Sequence, residues 1–277
     1  KEEKIKELEA FVARFSANAS KSKQATSRKK MLEKITLDDI KPTSRKYPFI
    51  HLPVERPIGK DVVSVEGVSK TIDGELLFEN VDFSISGGEK VVFISKNDTA
   101  TSAMLDILAG VLTPDAGEVN FGLTVTKDYL PIDNASYFSD ESLNLVDWLR
   151  QYTGEEQSEN YVRGFLGKML FSGEEPLKKI KVLSGGEKVR MMFSKLMLSQ
   201  ANTLILDQPT NHLDLESIQS VNESLEKYEG ALFFSSHDYS FIETIATKVI
   251  NLTPKGAVIF DGTFEEYMND ANIKEKV

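Results

Sequence analysis

Two motifs, Leu183-Ser184-Gly185-Gly186-Glu187-Lys188 and Asp207-Gln208-Pro209-Thr210-Asn211-His212-Leu213-Asp214, leave few folds open to a chain that contains both. Ser184 with Glu187 three positions on reads as the capped start of a helix, and taken alone it would be no more than that. A helix start nevertheless presents unbonded N–H groups and a positive dipole end, which favour an anion, and Gly185 and Gly186 permit close approach of the backbone. Asp207 ends an apolar strand, Leu204-Ile205-Leu206, where a carboxylate can hold Mg2+ directly or through water. A second strand, Ala231 to Ser235, leads into Ser236-His237-Asp238. Strands that alternate with helices and carry polar groups at their ends imply an α/β fold.

The rest of the chain supports that class. Residues 1 to about 18 place Ile5, Leu8, Phe11, Val12 and Phe15 at helical spacing, an amphipathic stripe that must pack on something. The sequence opens inside that pattern without a capping residue, so it reads as cut from a longer polypeptide. A second helical stretch, about Lys21 to Ile35, clusters Lys21, Lys23, Arg28, Lys29 and Lys30, and Pro42, Pro48, Pro53 and Pro57 follow. This divides the chain into a basic helical linker (1–46), an extended proline-rich connector (47–60) and one domain (61–277). Within that domain, Val62 to Val65, Leu76 to Phe78 and Val81 to Ile85 predict an antiparallel layer closed at Gly87-Gly88. Lys90 to Ser95 predicts a strand feeding a helix over Ser102 to Leu108, and residues 141 to 182 read as mostly helical.

The two motifs at this spacing resemble the ATP-binding-cassette superfamily. The resemblance implies a P-loop NTPase-type cassette with a RecA-like core, an antiparallel β-subdomain and a helical subdomain, using ATP and Mg2+. In that family the Ser184 to Glu187 loop grips the terminal phosphate of ATP held by the opposing cassette, Asp207 serves the metal, and His237 matches the switch histidine. The position after Asp207 is usually a glutamate that polarises the attacking water. Gln208 stands there, and it can hydrogen-bond but cannot take a proton.

The match breaks at the phosphate loop. The pattern G-x-x-x-x-G-K-[ST] falls on Ser95, Lys96, Asn97, Asp98, Thr99, Ala100, Thr101 and Ser102, with Ala103 next, because Leu108-Ala109-Gly110 fixes the alignment. Both glycines are gone, Thr101 stands at the lysine position, and only Ser102, the hydroxyl on the Mg2+ side, survives. Losing one charge-assisted contact weakens phosphate binding roughly 10- to 100-fold. Ile72 falls where an aromatic residue stacks on adenine, and Ile132 falls on the glutamine-loop position. The cassette's own site is thus altered at four elements, while the loop serving a sister cassette is kept.

The combination of Asp207 to Asp214 with an upstream basic segment is similar to the ABC-F subfamily, whose members carry two cassettes in one chain, joined by a charged helical linker, and often act on the ribosome near tRNA. Phe11 to Phe15, Ala17 to Ala25 and Ser27-Arg28 resemble the second half of that linker. The resemblance implies as partners a sister cassette of the same protein and, through the linker, ribosomal RNA or tRNA. The alternative, a nucleotide-binding subunit of an ABC membrane transporter, is opposed by Ile132 and by the basic segment.

Charge fits this division. Net charge is −10 overall, yet residues 1–46 hold 13 Lys+Arg against 7 Asp+Glu and the rest of the chain holds 20 against 36, a basic arm on an acidic body. Phosphate contacts from such an arm position a protein without reading bases. The chain has no cysteine, three separated histidines (His51, His212, His237) and no run of about 18 apolar residues. It therefore reads as a cytoplasmic protein with no membrane insertion, no disulfide framework and no zinc cage. The isolated chain is expected to be a monomer with little ATPase activity.

Overall fold

The structure, a computed structural model, describes residues 46–271. The chain divides between Lys46 and Tyr47 into two units, and every helix and strand among the described residues belongs to the second. The amphipathic and basic helices read from residues 1–45 lie outside the described residues.

Strand β1 (Asp61–Ile72) buries Val62, Val63, Val65 and Val68 and pairs antiparallel, with several register shifts, with β2 (Glu75–Ser86) across Asp73-Gly74, both at positive φ (51° and 82°). Asp-Gly is favoured in a two-residue hairpin because both residues tolerate the positive φ of a turn whose twist matches the right-handed twist of the strands. After the Gly87-Gly88 turn comes β3 (Lys90–Ser95), then α1 (Asp98–Ala109), then β4 (Ala116–Phe121), which returns to β1 to give a three-stranded sheet in the order β2-β1-β4. The phosphate-loop alignment predicts helix α1 from Ser102. It begins instead at Asp98, because Asn97 supplies a side-chain cap there.

The larger sheet is built from β3, β5 (Lys127–Leu130), β6 (Thr203–Asp207), β7 (Ala231–Ser235), β8 (Lys248–Thr253) and β9 (Gly256–Asp261), in the order β5-β6-β7-β3-β8-β9. All neighbours are parallel except β8 with β9. Strands β6 and β7 are buried at every residue, as expected of central parallel strands covered on both faces. Connections are made by α5 (Leu215–Lys227) and α6 (Tyr239–Ile245), and α7 (Phe264–Asn269) follows β9.

Between β5 and β6 lie α2 (Leu145–Arg150), α3 (Glu159–Lys168) and α4 (Gly185–Ser199). Residues 141–182 are less helical than the apolar spacing predicts. Gly154 and Gly173 adopt positive φ, Pro176 opens a single 3-10 turn, and the apolar side chains anchor short pieces rather than one stripe. Trp148 stacks on Phe138 with ring centres 4.8 Å apart, worth about 0.5–1.5 kcal/mol beyond burial.

Two apolar clusters result. One joins these helices to one face of the sheet through Leu206, Phe234, Met192 and Trp148, and the other seats α1 and the three-stranded sheet on the opposite face through Met104, Leu108, Phe93 and Phe233. Residues 47–60 form no helix or strand but are tied to the domain. Leu52 is buried, Phe49 N–H donates to Lys168 O (2.7 Å), and Asn202 Nδ2 donates to Arg56 O (3.1 Å).

Candidate functional site

The predicted site residues fall into two groups, each built on the start of a helix. The first is the start of α4. Ser184 caps it with a reciprocal box: its Oγ accepts from Glu187 N–H (3.3 Å), and Glu187 Oε2 accepts from Ser184 N–H (2.8 Å). Burial pushes the Glu187 carboxyl up, but the Ser184 donors, Lys178 and Arg190 outweigh it and hold it below the ordinary range. Because the box spends the acid on Ser184, the N–H groups of Gly185 and Gly186 have, among the described residues, no acceptor.

The glycines are required by what lies behind them. A Cβ on Gly186 would sit 2.5 Å from His212 O, and one on Gly185 would sit 3.2 Å from the His212 ring. His212 and Gln208 both hold left-handed backbone (φ 65° and 52°), so the 207–214 loop keeps two strained non-glycine residues. Asp214 ends this loop by capping α5, its Oδ1 accepting from Ser217 N–H (2.7 Å). A cavity of about 370 Å3 opens here, lined by Ser184, Gly186, Arg190, His212, Asp214 and Ser217. Free N–H groups, a hydroxyl and an arginine suit a phosphate oxygen. Neither His212 nor Arg190 was singled out from the sequence. The readiness of Asn-His to enter the left-handed region was the available signal.

The second group surrounds the start of α1. Residues 95–103 do not form a loop around an anion, since only Lys96 and Asn97 separate β3 from α1. Ser95 Oγ donates to Leu252 O (2.9 Å), and Asn97 Nδ2 donates to Glu75 Oε1 (2.9 Å). The N–H groups of Thr99 and Ala100 are taken by Asn97, through Oδ1 and O, both at 2.9 Å. Ala100 and Ala103 are core residues, and Thr101 is turned inward with its Oγ1 donating to Asp98 O (2.8 Å). Lys96 is exposed. Asp98, in the first turn, places Oδ2 3.2 Å from Nε2 of His237.

Behind them lie the ends of β6 and β7. Asp207 is buried; Ser235 Oγ donates to its Oδ1 (2.5 Å) and accepts from Gln208 N–H (3.0 Å), while Asp207 Oδ2 has no partner. Burial pushes the Asp207 carboxyl up; the hydroxyls of Ser102 and Ser235 counter this, and Asp106 and Asp98 reinforce it. Gln208 is buried. Ile132 is exposed beside Asp106, Tyr129, Asp133 and Asp207, and Ile72 packs at the end of β1 against the three-stranded sheet's core. This donor set does not fit a triphosphate. The Thr99 and Ala100 N–H groups are committed, Thr101 stands at the lysine position, and three carboxylates, Asp98, Asp106 and Asp207, lie close together at the mouth.

Two family models described as ABC transporter match the chain, one over residues 1–52 and the other over residues 78–211. The chain is 55% identical to the "Uncharacterized ABC transporter ATP-binding protein YkpA" of Bacillus subtilis (strain 168), across all of this chain and 51% of that protein. The chain contains an ABC transporter ATP-binding cassette. It is also 31% identical to "ABC transporter F family member 5" of Arabidopsis thaliana, over 95% of this chain and 37% of that protein. The chain thus spans about half the length of YkpA, and less of the plant relative. Its fold is that of the ATP-binding cassette MJ0796, solved as a dimer in a post-hydrolysis state bound to ADP and Pi. The TM-score is 0.60 at 18% identity, covering 72% of this chain and 98% of that chain. Among the described residues no helix is long and apolar enough to cross a membrane.

Proposed function

We propose that this cassette is the second of two in an ABC-F-type ATPase that works on the ribosome, and that its signature loop completes the ATP site of its sister while its own site holds no nucleotide. The observation that carries this reading is the contrast between the helix starts. The start of α4 leaves the N–H groups of Gly185 and Gly186 free beside a cavity, whereas at the start of α1 the Thr99 and Ala100 N–H groups go to Asn97 and the first-turn carboxylate of Asp98 faces His237. The basic residues of segment 1–46, the extension match over residues 1–52 and the F-family relative support the ABC-F reading, and the greater length of the relatives leaves room for a sister cassette.

In this reading ATP supplies the phosphoryl group that is hydrolysed. The chain's own part is electrostatic: the Gly185 and Gly186 N–H groups and the Ser184 hydroxyl face the terminal phosphate, held in position by the strained loop at His212. Gln208 contributes hydrogen bonding without a base. Lys21, Lys23, Arg28, Lys29 and Lys30 supply contacts to RNA phosphates, which bind strongly at low salt and weakly at high salt.

ATP turnover of the full-length, two-cassette protein tests this. Ser184→Arg is expected to lower it by about 100-fold or more, the scale of losing preorganised donors, and Thr101→Ala to leave it within about twofold, because that side chain is already buried. A silent Ser184→Arg contradicts the reading.

A further inference from the structure

We infer that Asp98 is a built-in anion that takes the place of a bound phosphate in this cassette's own site and keeps His237 engaged without nucleotide. This rests on the reading that the cassette's own site is closed, and names what closes it. In open parallel sheets ligands bind beyond the carboxyl ends of the strands, and anions favour the positive end of the helix that follows. Here that place lies beyond β3, β6 and β7, at the start of α1. The helix begins at Asp98, so a turn of helix, capped by Asn97, fills the space a phosphate cradle needs. The same turn brings its own negative charge, since a first-turn carboxylate complements the helix dipole.

The group it meets is His237, which stands on the loop after β7 with Nε2 3.2 Å from Asp98 Oδ2. The side chains are 67% and 68% exposed, so packing does not force the contact. Behind the pair, Asp207 is buried with Oδ2 unpartnered and Asp106 lies nearby, so an incoming polyphosphate meets carboxylates, with Thr101 in place of a lysine at the helix start. Asp98 thereby pairs with His237 and repels the anion that would compete for it. This face of the cassette then stays in one state while the sister's site turns over.

The test uses the full chain with labelled histidine side chains, which are only three: His51, His212 and His237. In the unmodified chain, Mg-ATP up to about 1 mM should leave the His237 ring signals unmoved. Asp98→Asn should shift those signals without any nucleotide and should raise the affinity for both Mg-ATP and inorganic tripolyphosphate at least tenfold. Both effects of Asp98→Asn are required. Saturable movement of the His237 signals by Mg-ATP in the unmodified chain, or an Asp98→Asn chain that lacks either effect, overturns the inference. A folded far-ultraviolet spectrum excludes collapse of the variant, with Asp98→Ser as the second substitution. Failure here would leave the signature-loop reading standing, because that reading answers to Ser184→Arg.

Discussion

The N-termini of α1 and α4 carry the same kinds of group in different arrangements. Each has a side-chain cap, Asn97 or Ser184, and each has an acid in its first turn, Asp98 or Glu187. At α4 the acid folds back onto Ser184 N–H, two glycines follow the cap, and the free donors face a cavity. At α1 the acid turns outward to His237, and alanine and threonine side chains are packed into the core behind it. What decides whether a helix start can receive an anion is therefore where its own first-turn carboxylate goes and whether a side chain fills the approach. The dipole is common to both.

The sharpest way to break this comparison is to fill the approach at α4. Gly186→Ala should destabilise the chain by about 1–3 kcal/mol in chemical denaturation, because the new Cβ would meet His212 O at 2.5 Å. Gly164→Ala on α3 is the control. Nothing lies within 4 Å of its Cβ position, so ordinary helix propensity should stabilise the chain by about 0.5–1 kcal/mol. Equal effects would show that Gly186 is not held against the 207–214 loop.

The contrast also shows what the sequence made legible. Ser184 to Glu187 and Asp207 to Asp214 could be placed because their local rules and their roles coincide: a capping box starts α4, and an apolar run carries Asp207 to the sheet's edge. The start of α1 was misplaced because alignment to the phosphate-loop pattern put the helix at Ser102, while the local rule, Asn97 as cap with Asp98 behind it, put it at the residue the structure shows. Strand β4 gave little periodic signal, since Gly117 sits at positive φ within it and most of its residues are exposed. The pairings of Asp98 with His237 and of Gly186 with His212 join residues far apart in the chain, and no spacing reveals them.

Smaller effects separate the caps. Asn97→Ala and Ser184→Ala should each cost about 1 kcal/mol of stability, the usual worth of a cap. Only Ser184→Ala should also lower turnover of the two-cassette protein, measured side by side. If Asn97→Ala lowers turnover as much, the two starts are not functionally distinct.

The smallest effect is a pH dependence. Glu187 is depressed in the folded chain, so the unfolded state binds its proton first as pH falls. Its stabilising contribution is complete above the unfolded value near 4.5 and is lost as the pH falls through the lower folded value. Hydrogen-exchange protection at the first turn of α4, measured relative to the intrinsic exchange rate, should therefore fall in that window in the unmodified chain, and Glu187→Gln should flatten the dependence.

The most direct measurement is the stoichiometry of a non-hydrolysable ATP analogue on the full-length protein with both cassettes, by equilibrium dialysis with Mg2+ present. One nucleotide per protein, retained in His237→Ala and weakened by Ser184→Arg, is the result predicted by a signature loop that serves the sister's site and an α1 start that excludes phosphate. Two nucleotides of similar affinity, one of them lost in His237→Ala, would contradict it.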